Sequence, residues 1–64
     1  MIAKVGRVTG RVAPGDIGEV IVPVRGGSEA FYAYAAEDGA VFEPGARVVV
    51  IEFDAPRSVR VAAI

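Results

Sequence analysis

The sequence of 64 residues contains no cysteine and no histidine, and its only two serines are Ser28 and Ser58. Without cysteine, the chain can form neither a disulfide nor a thiolate metal site. Without histidine, it lacks the most common general base, and neither serine has an imidazole to activate it. The adjacent carboxylates Glu37 and Asp38 precede a glycine, which indicates a solvated turn rather than an acid-base pair. We therefore expect a domain that is not an enzyme, with no catalytic residue, no metal site and no cofactor.

The sequence also has no large excess of either charge and no long apolar run. Seven basic side chains stand against eight acidic ones, so the chain lacks the strong positive field that attracts nucleic acid. The longest uncharged apolar run, Ala30–Ala36, is much shorter than the roughly 20 residues that a membrane-spanning helix needs. No signal-peptide pattern follows Met1. We expect the chain as given to be soluble, and any contact with a membrane to require spanning segments that this sequence lacks.

Turn-forming residues divide the sequence at short intervals, and between them lie segments rich in valine and alanine. Apolar and polar residues alternate in most of these segments, which is the pattern of half-buried β-strands. Residues 36–43 are too short, with Gly39 among them, for more than a loop or a single helical turn. The predicted strands are Lys4–Val12, Gly18–Val24, Glu29–Ala35, Ala46–Phe53 and Ser58–Ala63.

The same alternation predicts which side chains point inward. Gly6 and Gly10 weaken a straight first strand, so we expect them to allow a bend or bulge. Pro23 cannot donate a ladder hydrogen bond, which places its end of the second strand at an edge or bulge. The fourth strand is almost continuous in β-branched residues, which predicts a strand covered on both faces. The predicted core comprises Val8, Val20, Val22, Phe31, Val48, Val50 and Val61.

Five short strands separated by frequent turns are typical of a small barrel or sandwich. We favour the barrel because closure removes the strand edges, which a sheet of this size could not otherwise protect. The predicted fold class is all-β, a small five-stranded OB-fold-like barrel that occupies residues 1–64 as a single domain.

Both faces of the third strand are apolar, so its orientation has two solutions. We assign Phe31 inward and Tyr32 and Tyr34 outward, because tyrosine hydroxyls are easier to satisfy at the surface. A register shifted by one residue would instead bury the two tyrosines. In the favoured register Tyr32, Tyr34 and Ile21 lie on the outer face of neighbouring strands. Because tyrosine is enriched at interfaces, we predict that these three residues form a partner-binding surface.

Single-stranded nucleic acid is the alternative ligand, because OB barrels bind it through stacked aromatics in a basic groove. Tyr32 and Tyr34 alternate on one face, and Arg7 and Arg11 could lie on a neighbouring strand. The slight acidic excess argues against this ligand, and we favour a protein partner.

The order of these features resembles the C-terminal soluble domain of the NfeD (nodulation efficiency protein D) family. The resemblance covers nearly the whole chain, and the order of its pieces carries it, since each piece alone is a common glycine turn or valine strand. The matching pieces are Val5–Gly10 (VGRVTG), the Pro14-Gly15 turn followed by Gly18-Glu19-Val20, Phe31–Ala35 (FYAYA), Pro44–Val50 (PGARVVV) and Ser58–Val61 (SVRV).

The resemblance implies an OB-type barrel that follows transmembrane helices and has no catalytic residues of its own. In the family this domain is thought to act with stomatin- or flotillin-like membrane scaffolds and in the regulation of membrane proteases. We therefore expect a protein-interaction module, associated with the membrane in the full-length protein and lying on its cytoplasmic side. A second copy of the chain is an open alternative partner. The sequence also leaves open whether the chain is a fragment of a membrane protein or a stand-alone domain.

Overall fold

Five strands make up the regular secondary structure of residues 2–64, which are the residues that the computed structural model describes. Each strand is close to its predicted limits, and the second and fifth begin and end where the alternation placed them. Residues 36–43 form a loop without a helical turn. The strands are β1 (Val5–Gly10), β2 (Gly18–Val24), β3 (Gly27–Ala35), β4 (Arg47–Asp54) and β5 (Ser58–Ala63).

The strands close into a barrel in the order β1-β2-β3-β5-β4, with β4 returning to β1. Only the β3–β5 pair is parallel, and the other four pairs are antiparallel. This arrangement confirms the predicted five-stranded OB-type barrel. Within residues 2–64 every strand pairs with a neighbour on both sides over part of its length, which leaves little free edge for pairing with another chain.

Glycines allow β1 to bend and to approach β2 closely. The register between the two strands shifts between Val8 and Gly10, so the predicted bulge is present. A Cβ atom on Gly6 would lie 2.9 Å from the carbonyl oxygen of Ile21, which is closer than real Cβ contacts. Pro23 lies beyond the part of β2 that pairs with β1, as its missing N–H predicts.

The barrel interior is filled by small and β-branched side chains. All seven predicted core residues are buried, and three more join them. Tight packing of valines suits the narrow interior of a small barrel, because their short side chains reach the centre without voids. The buried hydrophobic residues are Val8, Val12, Val20, Val22, Phe31, Ala33, Val48, Val50, Val59 and Val61.

The prediction that β4 is covered on both faces is wrong. Val48 and Val50 are buried, but Val49 is only half-buried and the side chain of Ile51 is 46% exposed. In a single-layer barrel each strand has one interior face, and in residues 2–64 no second layer covers the outside of β4. The β-branched residues on its outer face reflect strand propensity rather than burial.

Two loops are held together at one end of the barrel. Val12, just after β1, and Phe42, in the β3–β4 loop, exchange backbone hydrogen bonds of 2.9 and 2.8 Å.

At the β2–β3 turn Gly26 has a φ of 85°, a conformation that favours glycine. No helix within residues 2–64 is both long enough and apolar enough to cross a membrane.

Candidate functional site

Tyr32 and Tyr34 lie on the outer face of β3, as the favoured register predicted. Their side chains are 56% and 39% exposed, whereas Phe31 and Ala33 between them are buried. Neither tyrosine hydroxyl forms a hydrogen bond with another group in the part of the chain that the structure describes. Both hydroxyls are therefore free to bond with water or with a partner.

Strand pairing determines what lies beside each tyrosine. Tyr32 is opposite Glu19 on β2, and Tyr34 is beside Arg60 on the parallel strand β5. Arg60 Nε lies 3.2 Å from Glu52 Oε1 on β4, so its charge is already paired. The surface around the tyrosines therefore has polar groups at its sides and aromatic rings at its centre.

Tyr34 also lines a groove of about 440 Å³, called here the Tyr34 groove. One wall is residues 13–17 of the β1–β2 loop, and the other is residues 37–40 of the β3–β4 loop. Ile17, at 64% exposed, contributes a large and accessible apolar side chain to this groove. A concave surface that combines an aromatic ring with an exposed isoleucine can receive an apolar side chain of a partner.

Arg11 connects the two loops that form the walls. Its Nε donates a 3.0 Å hydrogen bond to Glu43 Oε2 in the β3–β4 loop. Its Nη1 lies 3.5 Å from Asp16 Oδ2 in the β1–β2 loop. The β1–β2 loop is further closed by a 3.0 Å bond from the Asp16 amide to the Ala13 carbonyl. These contacts connect the β1–β2 loop with the β3–β4 loop beside the Tyr34 groove.

The Tyr34 groove has an acidic rim. Glu37 and Asp38 line it, are exposed, and form no ion pair with any cation in residues 2–64. The other charged lining residues, Asp16 and Arg60, are paired. The groove therefore combines an apolar lining with an unpaired negative charge at its rim.

Ile21 is separated from the Tyr34 groove. It is half-buried on the outer face of β2, opposite Arg7 on β1 and Ala30 on β3, and it lines a second groove over β1 and β2. Tyr32 is its diagonal neighbour across β2 and β3. The three predicted residues thus share the outer face, but they do not form one pocket.

Tyr34 alone among the residues lining the Tyr34 groove was in the predicted partner surface, and the prediction missed the exposed apolar Ile17 and the acidic Glu37 and Asp38. An isoleucine between an aspartate and a glycine in a turn is a signal of an exposed apolar residue, and the sequence shows it at Asp16-Ile17-Gly18. That Ile17 lies near Tyr34 depends on the β2–β3 pairing, which no local pattern reveals.

Reactive groups are dispersed over the surface. Within residues 2–64 no three carboxylates come together as a metal site would require. Ser28 faces Pro23 near the β2–β3 turn, and Ser58 begins β5. Glu37 and Asp38 lie on an exposed loop.

In comparisons with known proteins, the chain matches one family model and one solved structure. A family model described as the NfeD C-terminal domain matches residues 5–62. The solution structure of the soluble domain of the NfeD protein YuaF from Bacillus subtilis matches with a TM-score of 0.80 and 21% sequence identity. The match covers 95% of this chain and 70% of that one, and at this identity it shows a shared fold. No curated protein matches the sequence.

Proposed function

The chain belongs to the NfeD C-terminal domain family, and we propose that it is a non-catalytic protein-interaction module of a membrane protein. In this proposal the domain binds a partner protein that is a stomatin- or flotillin-like membrane scaffold or a membrane protease, and thereby takes part in regulating proteolysis at the membrane. Family membership supports the membrane connection, and the surface of the domain supports the role in binding.

The observation that carries the proposal is the exposed pair Tyr32 and Tyr34 beside a preformed groove. These two aromatic rings are 56% and 39% exposed, and their hydroxyls have no partner among the described residues, so they leave a large apolar area in solvent. Tyrosine provides a large apolar area with few rotatable bonds, which lowers the entropy lost on binding. The acidic rim of the Tyr34 groove selects a segment with basic residues flanking its apolar anchor.

Binding to a purified stomatin-like scaffold protein, measured by isothermal titration calorimetry, tests the proposal. We expect Tyr32→Ala and Tyr34→Ala each to weaken association by about tenfold or more, with a nearly unchanged thermal midpoint. Ile51→Ala is the matched control, because Ile51 is 46% exposed on β4 and does not line the Tyr34 groove. A large loss of stability in both tyrosine variants would identify the rings as structural and contradict the proposal.

The alternative function, binding of single-stranded nucleic acid, is favoured by the alternating tyrosines on a strand that OB barrels use for base stacking. Arg7 and Arg11 are the arginines expected to contact the nucleic acid. Of these, Arg11 is already paired with Asp16 and Glu43. Titration with an oligothymidylate at rising salt distinguishes the two functions. Micromolar binding that weakens steeply with salt would favour nucleic acid over a protein partner.

A further inference from the structure

Arg7 and Arg47 are directly opposite each other on the paired strands β1 and β4. Both side chains are exposed, and neither forms an ion pair with a carboxylate among the described residues. By contrast, Arg11, Arg57 and Arg60 are each paired. Like charges directly opposite on neighbouring strands are unfavourable. The isolated domain therefore contains a concentrated positive charge that its own carboxylates do not neutralise.

The two arginines line a shallow groove of about 560 Å³ over the outer face of β1 and β2, called here the arginine groove. Val5, Ile21 and Pro23 contribute an apolar wall, and no carboxylate is among the lining residues. Toward one end, the Thr9 hydroxyl donates a 2.7 Å hydrogen bond to Glu19 Oε1. The groove thus combines two free guanidinium groups with an adjacent apolar surface.

Recognition in this groove must use side chains. β1 pairs with β4 over Val5–Arg7 and with β2 over Arg7–Gly10, which leaves little unpaired backbone for a partner strand here. A guanidinium group binds a carboxylate with two parallel hydrogen bonds, which supplies both strength and orientation. No aromatic side chain lines the groove, so it lacks the stacking surface on which nucleic-acid bases are bound.

We propose that the arginine groove is a second binding surface, which takes an acidic peptide segment of a protein partner. Carboxylates of the segment bind Arg7 and Arg47, and an apolar side chain of the segment packs against Ile21 and Pro23. The charge complementarity determines the partner class, because two unpaired arginines are neutralised by paired carboxylates. This surface differs from the Tyr34 groove in position and in the sign of its charge, and the two proposals can fail independently.

The test measures binding of a fluorescein-labelled peptide of alternating glutamate and leucine by fluorescence anisotropy. We expect the double variant Arg7→Gln/Arg47→Gln to weaken binding by about tenfold or more. The matched control is Lys4→Gln/Arg25→Gln, which removes the same charge from two cations that line neither groove and form no ion pair within residues 2–64. The control should bind almost as tightly as the unmodified domain. The Arg7→Gln/Arg47→Gln variant should keep or slightly raise its thermal midpoint, because the repulsion between the two charges is gone.

Four results would overturn the proposal. The first is no binding of the peptide, and the second is an equal loss of affinity in both double variants, which would show unspecific charge attraction. The third is tighter binding of an oligothymidylate with the same dependence on Arg7 and Arg47. The fourth is self-association of the domain that is lost in the double variant Glu37→Gln/Asp38→Gln. In that case the arginine groove would bind the acidic rim of a second copy of the chain. Tyr34→Ala should leave peptide binding unchanged, so failure here is distinct from failure of the proposed function.

Discussion

The ring of Phe53 on β4 meets the ring of Phe31 on β3 edge to face, with centroids 6.1 Å apart and planes at 89°. Phe31 is 5% exposed and belongs to the core, whereas Phe53 is 39% exposed. The two strands are not neighbours in the sheet, since β5 lies between them. Phe53 therefore contacts the core although it is partly accessible to solvent, and the aromatic pair links strands that share no hydrogen bonds.

This contact predicts that Phe53→Ala destabilises the domain more than its exposure suggests. We expect a loss of about 1–2 kcal/mol in the free energy of unfolding, since an aromatic pair contributes about 0.5–1.5 kcal/mol beyond area burial. Ile51→Ala is the matched control, because Ile51 is similarly exposed on the same strand and has no aromatic partner. Urea denaturation followed by circular dichroism measures both. Equal losses in the two variants would show that the edge-to-face contact adds nothing.

Val50→Asp should unfold the domain. Val50 is fully buried in the middle of β4, and an unpaired carboxylate there costs several kcal/mol. A core of this size rarely supplies more than about 3–5 kcal/mol. The comparison is Ile51→Asp, which places the same charge on the exposed side chain next in sequence and should remain folded. A native circular dichroism spectrum of Val50→Asp would contradict the inward orientation of this residue.

Gly18→Ala should destabilise the barrel at the start of β2. An added Cβ atom would lie 2.9 Å from the carbonyl oxygens of both Gly10 and Arg11 and would overlap Cγ2 of Val12. We expect a loss of about 1–3 kcal/mol, as for other overpacked sites. The double variant Gly18→Ala/Val12→Ala removes only the side-chain overlap. The double variant should therefore be less stable than Val12→Ala alone, because the close contacts with the two carbonyl oxygens remain. Thermal unfolding of the three variants measures this difference. Full recovery to that level would show that the backbone oxygens move aside.

Arg11→Gln should loosen the Tyr34 groove with little effect on global stability. The Arg11 pairs with Asp16 and Glu43 are exposed, and such pairs contribute about 0–1 kcal/mol. Loss of both contacts leaves the Val12–Phe42 backbone hydrogen bonds to connect the two loops, so amide hydrogens of residues 13–17 and 37–40 should exchange faster. Arg57→Gln is the control, since it breaks the exposed pair with Glu29 outside the groove. Unchanged exchange in Arg11→Gln would show that the backbone bonds alone hold these loops.

Local patterns along the sequence were enough to identify the strands and most of the side chains that point inward. Val20 and Val22 alternate with polar or partly exposed neighbours, and the period of two places them on one face whichever strands lie beside β2. The same local reasoning oriented β3, where Tyr32 and Tyr34 are exposed because hydroxyls are costly to bury without partners. These features depend on backbone geometry and side-chain chemistry within a few residues.

Only the tertiary structure decided which outer-face residues share a surface. Arg7 and Arg47 are far apart in the chain and become neighbours because β4 closes the barrel against β1. Ile21 and Tyr34 lie on adjacent strands, yet the register places Ile21 opposite Ala30 and Tyr34 beyond the Gly18–Ala33 pair, so they line different grooves. The alternation of β4 was hidden by its run of valines, and closure into a single layer left the side chain of Ile51 46% exposed. The sequence by itself therefore determined the strands and the core, whereas the binding surfaces arise from non-local strand pairing, which a local pattern of period two does not encode.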